Sequence, residues 1–392
     1  MPPTPFSSPI RVTRPALPSL KRVEMHLKEI WDSCVLTNQG PKHVQLEQRL
    51  TSVLGVKHIR LLSNGTLALI LGMRALGIKG EVITTPFTFP ATPHSIVWAG
   101  AVPVFCDIDQ DSLCLDPGRI EALITPRTEA ILAVHVYGVP ADVYAIQAIA
   151  NKYGLKVIYD AAHAFMVEVN GVPIANFGDL TMFSFHATKL FHTLEGGCLA
   201  FKDAALGEEV NLLKNFGIKN EETISLLGMN AKMNEVQCAI GIEMLREAKS
   251  ERERRKPIRD IYLDLLSDVE GIECIRVPQG VSDSLQYMAI RVDQEQFGIS
   301  RDRLCAELET FNVFARKYFY PLCADYPCYQ HAVNDGLPNA RRAVSQLMCL
   351  PFYGDLAADA VERIAKIIRY LGIQHRPSLS HQPAMLGLQE YG

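Results

Sequence analysis

The 392 residues contain no stretch approaching the ~18 consecutive apolar side chains that a membrane-crossing helix needs. The opening Met1-Pro2-Pro3-Thr4-Pro5 lacks the cationic segment and apolar run of a secretory leader, so a soluble, cytoplasmic protein without a membrane partner is expected. Excess charge of one sign is also missing. Lys and Arg number 39 against 43 Asp and Glu, a formal net charge of −4, which gives no general attraction for nucleic acid. Nucleic acid is therefore not expected as a partner. Ten cysteines are present, but no CxxC pair or His-rich spacing accompanies them, so no metal is indicated. They read as free thiols of a reducing compartment. What is plentiful is apolar side chains, 48 % of the total, which argues for packed cores and against disorder. At this length two domains are the default.

The chain is organised around Leu180-Thr181-Met182-Phe183-Ser184-Phe185-His186-Ala187-Thr188-Lys189, followed by Glu195-Gly196-Gly197-Cys198-Leu199-Ala200-Phe201. The pattern predicts a strand, a loop carrying one lysine, and a second strand. A lysine held in a lined pocket is an amine that can form a Schiff base, although a lone loop lysine is also an ordinary surface residue. Upstream, Leu155-Lys156-Val157-Ile158-Tyr159-Asp160 reads as another strand, ending in a carboxylate. In open parallel sheets ligands bind beyond the carboxyl ends of strands, where both Asp160 and the lysine loop fall. A Schiff-base lysine and an acidic partner for the pyridinium nitrogen are the two protein groups that pyridoxal phosphate requires.

Further strands are predicted at His58–Leu62, Val82–Thr85, Val102–Asp107 and Ala130–Gly138, with helical spacing between them. The alternation predicts an α/β fold with a large, mainly parallel sheet covered on both faces. Ser63-Asn64-Gly65-Thr66 leads into the apolar helix that begins at Leu67. The free N–H groups of a first helical turn, at Gly65 and Thr66, suit a phosphate, while the motif alone reads more simply as a plain N-cap at Ser63 or Asn64. Phe87 and Phe89 flank a strand end where an aromatic can stack on a planar ring, and residue type does not choose between them. Gly228-Met229-Asn230-Ala231-Lys232-Met233 precedes another apolar helix, in which Asn230 is a candidate cap. The run Lys249-Ser250-Glu251-Arg252-Glu253-Arg254-Arg255-Lys256 reads as a solvated helix face.

The expected organisation is an arm over 1–19, a large domain over 20–248, a smaller α/β domain over 249–375, and a polar tail over 376–392. Within the smaller domain Ala315-Arg316-Lys317-Tyr318-Phe319-Tyr320 mixes cations with aromatics, which suits either a diphosphate or a structural cluster.

Asp160-Ala161-Ala162-His163, Ser184-Phe185-His186-Ala187-Thr188-Lys189 and Glu195-Gly196-Gly197 resemble the signature of the sugar aminotransferases of the DegT/DnrJ/EryC1/StrS family. The likeness extends from about Leu36 to about Ile364. It implies the aspartate-aminotransferase-like architecture (fold type I), with pyridoxal phosphate on Lys189, Asp160 at the ring nitrogen, and His163 at the ring oxygen. Phe89 is the stacking position, and Gly65, Thr66 and Ser184 hold the phosphate. Asn230 reaches the cofactor of the other subunit, making a homodimer with shared sites. Lys232, where the family usually has Arg, and Arg316 and Tyr320 are candidate substrate contacts, and the turn Leu36–Pro41 lies near the substrate. Lys189 weighs against the family's sugar dehydratases, some of which carry His there. The expected reaction moves an amino group from L-glutamate to a nucleotide-linked keto sugar, most closely C4 of dTDP-4-keto-6-deoxyglucose. The alternatives are C3 of a dTDP-3-keto-6-deoxy sugar and a non-catalytic ligand-binding member of the fold.

Overall fold

The computed structural model describes residues 3–375; the expected tail lies outside them. Seven strands form the main sheet: β1 (His58–Leu62), β2 (Glu81–Thr84), β3 (Val102–Phe105), β4 (Thr128–Val134), β5 (Lys156–Asp160), β6 (Leu180–Ser184) and β7 (Gly197–Phe201). Their spatial order is β1-β7-β6-β5-β4-β2-β3. Only β7 runs antiparallel to its neighbours. The strands are buried along nearly their whole length because helices cover both faces and leave no solvated side. The sheet is thus mainly parallel, as the alternation predicts, with β7 returning directly from the lysine loop.

A second, smaller sheet pairs Ile272–Cys274, Met288–Val292 and Leu347–Leu350, all antiparallel. Its apolar face packs with the helices Arg301–Thr310 and Ala358–His375 around Met288, Ile290, Leu304, Leu308, Ile364 and Ile368. Residues from Phe319 to Ala343 return to the first core, where Cys323, Tyr329, Leu337 and Ala340 are buried. In the arm, Ile10–Arg11 pairs in parallel with Val313–Phe314, and Ala16 O accepts a hydrogen bond from His192 at 2.7 Å.

The long helix Glu235–Leu265 joins the two cores without a break, so the expected boundary at 248/249 falls inside it. The charge run on this helix is not simply a solvated face. Glu251 is 1 % and Arg255 3 % exposed, paired at 2.7 Å. The reason is tertiary. The helix crosses the seam between the cores, and its stripe Arg252, Arg255 and Arg259 faces segment 283–287. Arg252 donates to Asp283 O, Arg255 to Leu285 O and Arg259 to Tyr287 O. Burial of these guanidiniums is tolerable because each finds acceptors.

Candidate active site

The carboxyl ends of β1, β5 and β6 meet at one place. The register sets Gly197 between Leu62 on one side and Ser184 on the other, so β7 begins where β1 and β6 end. Directly after β1, Asn64 caps the helix Gly65–Ala75, accepting from Leu67 N–H at 2.8 Å. The cap and the phosphate readings are compatible, because this bond leaves the N–H groups of Gly65 and Thr66 without intrahelical partners. A Cβ on Gly65 would lie 3.2 Å from Ser184 Cβ, and one on Gly197 would lie 2.7 Å from Gly65 N. Glycine at both positions lets the backbones close up. The outcome is a cradle at the partly positive helix end, with the Ser184 hydroxyl at its rim.

Asp160 ends β5 and is 4 % exposed. Its carboxylate accepts from Thr92 Oγ1 at 2.7 Å and from Ala162 N–H at 3.0 Å. The single proton of Thr92 is committed to Asp160, so Thr88 Oγ1, 2.8 Å away, must donate to Thr92. Burial raises the carboxyl pKa above its ordinary value, against the opposing pull of Thr92, Ala162 and the Lys189 charge. The direct donors to Asp160 are neutral, and a cation at the carboxylate would complete the set.

Lys189 follows β6 in a loop and is partly exposed. Burial lowers its pKa from 10.5 to about 8, with the Arg316 charge assisting and Asp160 opposing. Its Nζ makes no hydrogen bond among the described residues and lies 5.9 Å from the centre of the Tyr287 ring. His163 is 6 % exposed, stacked on Phe319 at 5.8 Å and edge-on to Tyr287 at 4.9 Å. Burial, and then the Lys189 charge, drive its pKa well below the usual imidazole value, so the ring is neutral. Its buried Nδ1 has no partner. A buried polar atom normally finds one, so an acceptor or donor from a ligand is called for.

The two phenylalanines separate cleanly. Phe87 is fully buried against Tyr137 and Phe319, whereas Phe89 is 51 % exposed, just before the helix Ala91–Ala99. Asn230 is exposed, its backbone bridges to Asn215, and its side chain makes no hydrogen bond among the described residues. It does not cap the next helix. Asn234 does, in a reciprocal capping box with Gln237. Lys232 is not a free solvated cation, since its Nζ donates to Asn215 Oδ1 at 2.6 Å and lies over the Phe216 ring. The turn Leu36–Pro41 is fastened to the same region through Glu235. Glu235 N–H donates to Leu36 O, and its carboxylate accepts from Lys42 and His43 N–H at 2.7 and 2.9 Å.

Of the remaining candidates, Arg316 is exposed, stacks over Tyr318 and acts electrostatically on Lys189. Tyr320 stands apart at the surface between Arg301 and Lys317. Thr88, Thr92, Tyr287 and Gln286 belong to the cluster but were not singled out from sequence. Hydroxyls and amides are too common to signal by type, and Gln286 comes from the far side of the seam. A cleft of about 1020 Å³, lined by Gln110, Arg291, Arg301 and Arg342 among others, shares no residue with this cluster. An unbonded amine, a buried carboxyl and an orphan imidazole nitrogen brought together, rather than cavity size, mark the site.

The residues present fit pyridoxal phosphate: an unbonded amine, a buried carboxyl wanting a cation, an orphan imidazole nitrogen and an anion cradle. Residues 20–369 match the DegT/DnrJ/EryC1/StrS aminotransferase family. The chain is 45 % identical to the dTDP-4-amino-4,6-dideoxy-D-glucose transaminase of Shigella dysenteriae over 367 residues, 93 % of this chain and 99 % of the relative. The transaminase of the same name from Escherichia coli is 41 % identical over 365 residues, 92 % and 98 % of the two chains. Among solved structures, DesI in the presence of its TDP-sugar product aligns at a TM-score of 0.91 and 34 % identity, covering 94 % of each chain. The chain therefore belongs to the DegT/DnrJ/EryC1/StrS aminotransferases, pyridoxal-phosphate-dependent enzymes of fold type I.

Proposed function

We propose that this enzyme moves an amino group from L-glutamate to C4 of dTDP-4-keto-6-deoxyglucose, within deoxyamino-sugar biosynthesis of the kind that feeds O-antigen or lipopolysaccharide. The observation that carries the chemistry is the Lys189 amine, unbonded and with a pKa of about 8, held where the Asp160 and Arg316 charges both reach it. Similarity along nearly the whole length to transaminases of a dTDP-4-amino sugar supports the substrate and the position.

Bound pyridoxal phosphate supplies the aldehyde that takes up the amine and a ring that accepts electrons. Lys189 carries the cofactor. With a pKa of about 8 in the cofactor-free chain, the Lys189 amine would exchange a proton readily near neutral pH, the capacity needed to move one at the substrate carbon. Asp160, buried with neutral donors on both oxygens, would hold the proton on the ring nitrogen. His163 would offer its unpartnered Nδ1 to the ring oxygen, and Phe89 would cover a ring face. Gly65 and Thr66 N–H groups and the Ser184 hydroxyl would grip the phosphate. Arg316 and Lys232 take anionic parts of the substrates, and Lys232 does so as a point charge, since it lacks the fork of arginine. Tyr320 stays a weaker candidate, because its contacts are with Arg301 and Lys317.

The assembly proposed is a cytoplasmic homodimer in which Asn230 serves the partner's site. Its support is that Asn230 is exposed, makes no side-chain bond among the described residues, and leaves the capping role to Asn234.

A panel of nucleotide-linked keto sugars offered with glutamate, followed by NMR of the product, tests the reading. A new amine on C4 of the dTDP 4-keto sugar is expected. Amination only at C3 overturns the position. A colourless protein that pyridoxal phosphate does not reconstitute overturns the enzyme in favour of a binding member.

A further inference from the structure

The loop Phe185–Leu194 that carries Lys189 is neither helix nor strand over most of its length. Its own backbone contributes Lys189 N–H to His186 O at 2.9 Å and Thr193 N–H to Phe185 O at 3.0 Å. The peptide groups on either side of Lys189 are held instead by one side chain from the other side of the seam. Gln286 Nε2 donates to Thr188 O at 3.0 Å, and Gln286 Oε1 accepts from Leu190 N–H at 2.8 Å. The amide is 2 % exposed and spans residue 189 as a neighbouring strand would. A primary amide suits both bonds because it has a donor and an acceptor side by side; a carboxylate keeps only the acceptor.

The backbone around Gln286 is fixed in turn. Gln286 N–H donates to Ser284 Oγ at 3.2 Å, and Ser284 Oγ donates to Tyr137 O at 3.4 Å. The carbonyls of Asp283, Leu285 and Tyr287 are taken by Arg252, Arg255 and Arg259, and Arg259 also pairs with the Asp283 carboxylate at 2.8 Å. Arg252, Arg255 and Arg259 are three and four residues apart, so they share one helix face and meet these carbonyls together. The next residue, Tyr287, is the ring beside both Lys189 and His163.

We propose that Gln286 is a positioning residue: it clamps the peptides flanking Lys189 and so sets the amine against Asp160 and His163, using a segment anchored on the charge-rich helix. The proposal rests on Lys189 as the cofactor-bearing amine, and the experiment keeps the two ideas apart.

Gln286→Ala and the isosteric Gln286→Glu are compared with the wild type after reconstitution, with circular dichroism confirming the fold. Three quantities are read. In the cofactor-free protein, hydrogen exchange at the Leu190 amide should speed up in Gln286→Ala and stay protected in Gln286→Glu. In the holoenzyme, the pH midpoint of the visible absorbance should shift in both. kcat should fall about 10–100-fold, with KM for the sugar nucleotide little changed. Should Gln286→Ala fail to fold, Gln286→Glu alone decides through its midpoint and kcat. Wild-type exchange, midpoint and kcat in a folded variant would overturn the clamp. Borohydride fixation of the cofactor at a lysine other than 189 would instead remove the reading on which the clamp rests.

Discussion

Two lysines in this molecule have their amines pulled from 10.5 to about 8 by burial, and they do different things. Lys214 is fully enclosed beneath β1, where its Nζ donates to Leu61 O at 3.2 Å. Glu47 opposes the shift there, and that carboxylate is itself paired with Arg60 at 3.2 Å. Lys189 lies at the open end of the same sheet, has no hydrogen-bond acceptor among the described residues, and shares its surroundings with an orphan imidazole nitrogen and an anion cradle. A depressed amine is therefore no signature of chemistry by itself. What separates the two is access and the amine's own bonding: Lys214 is enclosed and bonded to Leu61 O, whereas Lys189 is partly exposed and bonds no acceptor among the described residues.

Breaking the contrast most sharply, Lys189→Ala should lower turnover by at least about 10³-fold while the protein stays folded, since a single pocket amine supports neither core. Mixing that variant with Asn230→Ala subunits and allowing exchange sharpens the point. If Asn230 acts across the dimer, roughly a quarter of sites regain both residues and activity returns. No recovery would place Asn230 in its own subunit's site. Next in size, Asp160→Asn should cost about 10²-fold in kcat with little effect on phosphate anchoring, because an amide cannot hold a ring-nitrogen proton but the cradle at Gly65 and Thr66 is untouched. Steady-state rates beside cofactor titration separate the two quantities.

The smallest effects concern stability of the cofactor-free protein. The folded pKa of Lys189 lies below its unfolded value, so between pH 8 and 10.5 the unfolded chain binds a proton that the folded chain does not. This amine therefore costs stability, fully below pH 8 and progressively less toward pH 10.5. Lys189→Met should raise unfolding free energy by about 1 kcal/mol at pH 7, less than the full shift because the amine is part exposed, with the gain fading by pH 10. Lys214→Met removes a similar cost but leaves Leu61 O without its donor, and the two terms oppose each other. Its stability should stay within about 1 kcal/mol of wild type, with kcat unchanged. Denaturant melts at pH 7 and pH 10 check both variants. Equal loss of activity in the two would end the distinction.

Much of this was legible in the sequence because it depends on short-range pattern. Alternating apolar runs and helical spacing specify strands and helices locally, and Asp160, Ser184 and Lys189 stand at or just past strand ends, where a parallel sheet places ligands. Gly65 and Thr66 were readable as a helix start for the same reason. Other features were not local. The run Lys249–Lys256 read as a solvated face because alternating charge has that meaning on an isolated helix. Nothing within it reports that the carbonyls of 283–287 lie opposite. The choice of Phe89 rested on family likeness, and only packing shows that Phe87 is consumed by Tyr137 and Phe319.

By itself, then, the sequence determined the elements, their order, and the chemically unusual pair of a strand-end carboxylate and a loop amine, since these follow from side-chain periodicity and turn chemistry along the chain. Tertiary structure alone decided which neutral groups bond Asp160, that His163 keeps an unpartnered nitrogen, that Asn234 rather than Asn230 caps a helix, and that Gln286 spans Lys189 from across the seam. Those are pairings between distant segments, and a hydrogen bond is fixed by where two atoms meet rather than by the residue types that carry them.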